Sequence, residues 1–155
     1  MARSIQGNRG AFLDMLAQSE GTSTITGSDD GYNVIVGGKL FSSYADHPRQ
    51  LVVLNKAGLE STAAGRYQVL EKYFDYYKKL LNLPDFSPAS QDSIAIQQIK
   101  ESGALQLIDN GNLLYAITKC NHIWASLPGN SYGQRQNSID SLQAAYVKAG
   151  GIISA

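Results

Sequence analysis

Apolar and polar positions alternate along this chain with periods that change from one segment to the next. From Asn8 to Glu20 the apolar residues Phe12, Leu13, Met15 and Leu16 cluster at helical spacing and predict a helix. Phe12, Leu16 and Glu20 stand four apart, which sets Glu20 on the stripe turned toward the core, in the helix's last turn. Gly21 then stops the helix. A carboxylate on an apolar stripe, just where the helix ends, needs a reason. Thr22 to Asp30 is Thr, Ser, Gly and Asp, a loop composition. Tyr32 to Phe41, with Val34, Ile35 and Val36 before Gly37-Gly38, predicts a short β-hairpin, and Leu51 to Leu54 a further short strand before the polar turn Asn55 to Gly58.

Helical spacing dominates the rest. Thr62 to Leu83 carries Tyr67, Leu70, Tyr73, Phe74, Tyr77, Leu80 and Leu81 and predicts one long amphipathic helix closed by Pro84. Ser87-Pro88 is a cap followed by Pro at the first helical position, opening a helix through Ile94, Ile96 and Ile99 to Gly103. Leu105 to Ile108 and Leu113 to Trp124 predict two short helices. Ser138 to Ala149 predicts a last one, closed by Gly150-Gly151. The sum is an α+β fold in one domain over residues 1–155, with a small β-hairpin lobe and a larger helical lobe. An interlobe cleft is the natural place for an extended polymer.

Composition narrows the function classes. Apolar residues make up 43% and charged residues 17%, with 4 prolines, which describes a chain able to build a packed core. Thirteen basic residues balance thirteen acidic ones, so nothing suggests the basic face a nucleic-acid partner demands. Cys120 stands alone and excludes an intramolecular disulfide. Met1 to Gly10 is polar, with no apolar run of signal-peptide length, and no stretch approaches the ~20 apolar residues of a membrane span. The expected place of accumulation is the cytoplasm. His47 and His122 are too few and scattered for a metal site, Cys120 lacks partners at ligand spacing, and no cofactor is implied.

Three clusters could carry chemistry. Ser19-Glu20-Gly21-Thr22 offers a proton donor, because a Glu in an apolar cleft has its pKa raised enough to stay protonated near neutral pH. Ser61-Thr62-Ala63-Ala64-Gly65-Arg66-Tyr67-Gln68 combines small residues, a stacking face in Tyr67 and a two-sided amide in Gln68 suited to acetamido sugars; it also reads as a helix N-terminus capped by Ser61 or Thr62. Trp124-Ala125-Ser126-Leu127-Pro128-Gly129 with Tyr132-Gly133-Gln134 sets aromatics on a Gly-rich segment, Trp124 itself reading more as core than as ligand contact. Asp46-His47-Pro48 reads as a structured turn. Asp29 and Asp30 follow Glu20 by nine and ten residues and read either as a turn before Gly31 or as a second carboxylate holding water.

With these clusters in this order, the chain resembles the lambda-type phage endolysins, lytic transglycosylases of the lysozyme-like superfamily. The resemblance runs from Arg9 to Gly151 through Ala11-Phe12-Leu13-Asp14-Met15-Leu16, Val34-Ile35-Val36-Gly37-Gly38, Asp46-His47-Pro48-Arg49, Gly65-Arg66-Tyr67-Gln68, Gln97-Gln98-Ile99-Lys100-Glu101 and Ile123-Trp124-Ala125-Ser126-Leu127-Pro128-Gly129. It fails between Ser23 and Asp30, and Gln18, Tyr73 and Phe74 replace family aromatics. The resemblance implies a lysozyme-like fold, peptidoglycan glycan strands as substrate and Glu20 in the catalytic position. It further implies Tyr67, Gln68, Gln98 and Tyr132 along the saccharide cleft and a holin to release the enzyme from the host cytoplasm to the periplasm and wall; Ser61 of the second cluster is a further candidate substrate contact, and a monomer is the default. Under that reading Glu20 protonates the glycosidic oxygen and the sugar's own C6 hydroxyl closes a 1,6-anhydro ring. A lysozyme-type hydrolase would instead use Asp29 or Asp30 as the second carboxylate, about 5 to 9.5 Å away. A wall-binding module without turnover is the alternative outside enzymes.

Overall fold

A computed structural model describes residues 1–154. The chain runs through α1 (Gly7–Glu20), β1 (Val52–Val53), β2 (Glu60–Ser61), α2 (Glu71–Leu80), α3 (Pro88–Glu101), α4 (Leu105–Asp109), α5 (Leu113–Cys120) and α6 (Ile139–Lys148). No helix among the described residues is long and apolar enough to cross a membrane.

Helix α1 is the centre of the larger lobe and packs against α3, α4 and α6. It buries Ala11, Phe12, Leu13, Met15, Leu16 and Ala17, most of its circumference and more than the single predicted stripe. These side chains meet Ile99, Ile117, Trp124, Leu127, Leu142 and Tyr146 in the main core. Each fully buried large aliphatic or aromatic side chain contributes about 1.5–3 kcal/mol. A second cluster, Ala64, Val69, Phe74, Tyr77, Phe86 and Ile94, lies under the sheet lobe. Helix α3 serves both, through Ala95 and Ile99 on one side and Ile94 on the other. Its start is as predicted: Pro88 occupies the first turn, and Ser87 accepts a hydrogen bond from the Ser90 amide.

The sheet lobe is smaller than expected. The Tyr32–Phe41 segment forms only isolated bridges, Val34 with Leu40 and Ile35 with Ala64, around Gly37-Gly38. The regular ladder is β1–β2, antiparallel, pairing Val52 with Ser61 and Val53 with Glu60 across the Asn55–Gly58 turn.

The predicted helix from Thr62 to Leu83 requires correction, because only Glu71–Leu80 is helical. Gly65 (φ 85°) and Gln68 (φ 55°) are left-handed, and Ala64 pairs with Val69 across a tight turn. A helix through Gly65 would also move its backbone off Phe86 and Gln91, where a Cβ would lie 2.8 Å from Phe86 Cζ and 2.5 Å from Gln91 Oε1. Thr62 still serves α2 as anticipated, though from outside the helix: its hydroxyl accepts a hydrogen bond from the Glu71 amide at 3.0 Å. Ser61 caps nothing; its hydroxyl accepts from the Ala63 amide.

Candidate active site

Helix α1 delivers Glu20 to the surface and fixes it there. Gly21 is left-handed (φ 80°), its amide bonds the Gln18 carbonyl, and the Thr22 amide bonds Ala17, a Schellman closure. The Thr22 hydroxyl then donates to the Arg66 carbonyl at 2.6 Å, tying the helix end to the Gly65–Gln68 turn. Glu20 is half-buried in a hollow of about 320 Å³ lined by Gln18, Ser19, Gly21, Arg135, Asn137 and Leu142. Burial pushes its pKa above the usual carboxylate range, and the hydroxyl of Ser126, donating to Oε2 at 2.6 Å, pulls partly the other way. An acid so placed keeps its proton at higher pH than a surface Glu and can give it to a substrate oxygen.

Asp29 and Asp30 have other work. Asp29 pairs with Arg3 and accepts from the Tyr44 hydroxyl, and these donors lower its pKa, Arg3 most. Asp30 pairs with the Met1 amino group and with Arg66. Arg66 is 1% exposed; it also bonds Asp14 at 2.8 Å and the Tyr67 hydroxyl at 3.1 Å. Neither Asp29 nor Asp30 lines the hollow that holds Glu20, and no other carboxylate among the described residues does.

A separate cleft of about 320 Å³ lies between the lobes, lined by Tyr67, Gln68, Tyr73, Gln98, Glu101 and Trp124 among others. It shares no lining residue with the Glu20 hollow. The segment Trp124–Ser126 reaches both: Trp124 walls the cleft, and Ser126 grips Glu20. The structure therefore brings Tyr67, Gln68 and Gln98 together, but Ser61 lines a different hollow beside Glu71 and Asp75. Tyr132 is exposed on the loop after Gly129, its hydroxyl bonded to the His122 carbonyl at 3.1 Å. Tyr67 is 5% exposed, and its hydroxyl donates to Asp92, so only its ring is open to a ligand. The Gln68 amide nitrogen is engaged by the Val34 and Gly65 carbonyls. Trp124 is core, as read from the sequence; its indole N–H donates to the Tyr67 carbonyl at 3.0 Å.

The family described as Endolysin matches residues 10–153. The chain belongs to the endolysin family. It is 56% identical to the endolysin of Escherichia phage lambda over 151 residues, 96% of this chain and 95% of that one. It is 49% identical to the endolysin of Escherichia phage P2, with 94% of each chain covered. Its fold is that of bacteriophage lambda lysozyme complexed with a chitohexasaccharide, with a TM-score of 0.94 at 55% identity over 98% of this chain and 99% of that one. A second structure of lysozyme from bacteriophage lambda gives 0.90 at 54% identity, with the same coverage. The α+β, lysozyme-like architecture expected of this endolysin is thus shown, with its small sheet lobe, larger helical lobe and cleft.

Reading the sequence missed Asn137 and Asp92 entirely, and it gave Ser126 and Arg66 no role. Asp92 is fully buried and accepts from Ser4, Tyr32 and Tyr67. The signal for Asp92 was available in principle, since a carboxylate in the middle of a buried helical face, between Gln91 and Ile94, must find donors.

Proposed function

We propose that this endolysin cleaves the β-1,4 bond between MurNAc and GlcNAc in peptidoglycan as a lytic transglycosylase, with Glu20 as its one acid and base. The observation that carries this reading is the isolation of Glu20: a half-buried carboxyl with a raised pKa in a hollow that no second carboxylate among the described residues lines. Glu20 gives its proton to the glycosidic oxygen as the bond to C1 breaks. The resulting carboxylate takes the proton of the muramoyl C6 hydroxyl, whose oxygen attacks C1 and closes the 1,6-anhydro ring. That nucleophile is intramolecular, with an effective molarity on the order of 10⁵–10⁸ M, so no activated water is needed. A hydrolase would require Asp29 or Asp30 to hold water, yet each is engaged in ion pairs away from the hollow.

The lambda lysozyme was captured with a chitohexasaccharide, an extended chain of acetamido sugars of the kind the cleft here would take. We assign Tyr67, Gln68 and Gln98 to that cleft, with Ser61 and Tyr132 as outer contacts. The enzyme would act as a monomer and reach the wall from the host cytoplasm through a holin.

Two measurements test the proposal. Mass spectrometry of digested murein should show anhydro-muropeptides; products one water heavier would overturn transglycosylation in favour of hydrolysis. Glu20→Gln should abolish clearing of outer-membrane-stripped Gram-negative cells while chitooligosaccharide binding persists. Activity surviving in Glu20→Gln would overturn the assignment of the acid.

A further inference from the structure

Glu20 is the end of a chain of hydrogen bonds. Ser126 Oγ donates to Glu20 Oε2 at 2.6 Å, Ser19 Oγ lies 2.7 Å from Ser126 Oγ, and Asn137 Nδ2 lies 3.0 Å from Ser19 Oγ. The same Asn137 nitrogen is 3.1 Å from the Ser19 carbonyl oxygen, and the Asn137 backbone amide donates to the Ser126 carbonyl at 2.8 Å.

A carbonyl at one end and the Glu20 carboxylate at the other set the direction of the chain. A carbonyl oxygen can only accept, so the side-chain atom of Asn137 facing it must be the NH₂ group. That group therefore donates to Ser19 Oγ as well. At the other end an ionised Glu20 can only accept, so Ser126 points its single hydrogen at Oε2, and Ser19 is left to point its own at Ser126. With Glu20 ionised, Oε2 therefore meets a donor, and Oε1 is the oxygen left open to take up the next proton.

We propose that Ser126, Ser19 and Asn137 form a one-way relay that orients Glu20 and confines its transferable proton to Oε1. All three are positioning residues; none touches the bond that breaks. The inference rests on the reading of Glu20 as the acid. The groups around Glu20 leave this relay as its principal polar partner. Arg135, exposed on the 131–137 loop, is the one charged side chain among the described residues, besides Glu20, lining the hollow. Asp14 of α1, Asp30, Arg66 and Lys148 of α6 line a neighbouring hollow that shares only Gln18, Thr24 and Ala145 with it.

The test compares Ser126→Ala, Ser126→Thr and Asn137→Asp with the parent enzyme on soluble glycan strands, alongside ¹³C NMR titration of the Glu20 carboxyl. A hydroxyl donor to a carboxylate stabilises the ionised form, so its loss raises the Glu20 pKa. The acid must be protonated to work, so in Ser126→Ala the alkaline limb of the pH profile should move to higher pH. Its kcat should fall by on the order of tenfold, the worth of one hydrogen bond to a charged group, with KM little changed. Ser126→Thr keeps the hydroxyl and should restore both the limb and kcat. Asn137→Asp puts an acceptor against the Ser19 carbonyl, reverses the relay and should lower kcat without moving KM.

An unmoved limb and titration in Ser126→Ala overturn the relay, as does a kcat for Asn137→Asp equal to the parent's. Should Ser126→Ala fail to fold, Asn137→Asp on its half-buried loop position decides alone. A relay that fails leaves the Glu20→Gln result standing, whereas an active Glu20→Gln removes the acid itself.

Discussion

Asp92 is where the helical lobe, the N-terminal arm and the Gly65–Gln68 turn are joined, and its removal should be costly in a graded way. The carboxyl is fully buried and accepts four hydrogen bonds: from the Ser4 amide at 3.1 Å, the Ser4 hydroxyl at 2.8 Å, the Tyr32 hydroxyl at 2.8 Å and the Tyr67 hydroxyl at 2.5 Å. Asp92→Ala strands the two tyrosine hydroxyls and the Ser4 amide, while the Ser4 hydroxyl can turn to water. A buried donor left without a partner costs about 1–3 kcal/mol, so three of them, overlapping in one small space, should cost about 3–6 kcal/mol. That is a large share of the about 5–15 kcal/mol a domain typically has. Asp92→Asn should be milder. Its remaining oxygen can serve both tyrosines, which share Oδ1, and its NH₂ can face Ser4. The Ser4 hydroxyl can then turn to accept, leaving only the Ser4 amide unpaired, at about 1–3 kcal/mol. Urea unfolding followed by tryptophan fluorescence and by circular dichroism measures both. The readout suits the site, because the one tryptophan donates to the carbonyl of Tyr67. A loss below about 1 kcal/mol for Asp92→Ala, or equal losses for the two variants, would refute the hydrogen-bond reasoning.

Gly65→Ala should unfold the protein or lower its stability by well over 2 kcal/mol, because the left-handed backbone alone costs about 1–2 kcal/mol and the new Cβ would lie 2.5 Å from Gln91 Oε1. Gly58→Ala is the control: the φ is nearly the same, at 86°, but nothing lies within 4 Å, so only the backbone cost should appear in a denaturation curve. His47 is buried with Nε2 bonded to the Val69 carbonyl and Nδ1 accepting from the Arg49 amide, and burial lowers its pKa. The stability it contributes is full above the free imidazole value of about 6.5 and is lost as pH falls through its lower folded value. NMR of its ring protons should show titration below the ordinary histidine range, and an ordinary midpoint would contradict the buried neutral ring.

Local chemistry was legible in the sequence wherever one residue decides the backbone. Gly21 ended α1, Ser87-Pro88 opened α3 and Gly150-Gly151 closed α6, the Gly151 amide bonding the Tyr146 carbonyl. The stretch Thr62–Leu70 was misread because Tyr67 and Leu70 continue the spacing of α2 backward. Period alone cannot separate a helical face from a turn whose residues are buried by neighbours. Gly65 was the contrary signal, and its φ of 85° decided the matter. The tight helix α1 misled in a gentler way: a helix buried on most sides has no single stripe, so Glu20's placement on one was weaker support than its place at the end of a Schellman closure.

The partners of Asp29 and Asp30 were beyond the sequence for a reason that is electrostatic. Asp29 and Asp30 sit close to Glu20 along the chain, and proximity in sequence made them candidates for a second acid. What engages them is the identity of their partners: Arg3 lies 26 residues from Asp29, and Arg66 lies 36 from Asp30. Those pairings are set only when α1, the arm before it and the Gly65–Gln68 turn have closed on one another. Glu20's own partners come from further still, with Ser126 106 residues away and Asn137 118 from Ser19. The lone-acid proposal for Glu20 rests on what the fold withholds as much as on what it supplies. Cations hold the neighbouring carboxylates, and among the described residues the only polar group bonded to the Glu20 carboxyl is the Ser126 hydroxyl, on Oε2.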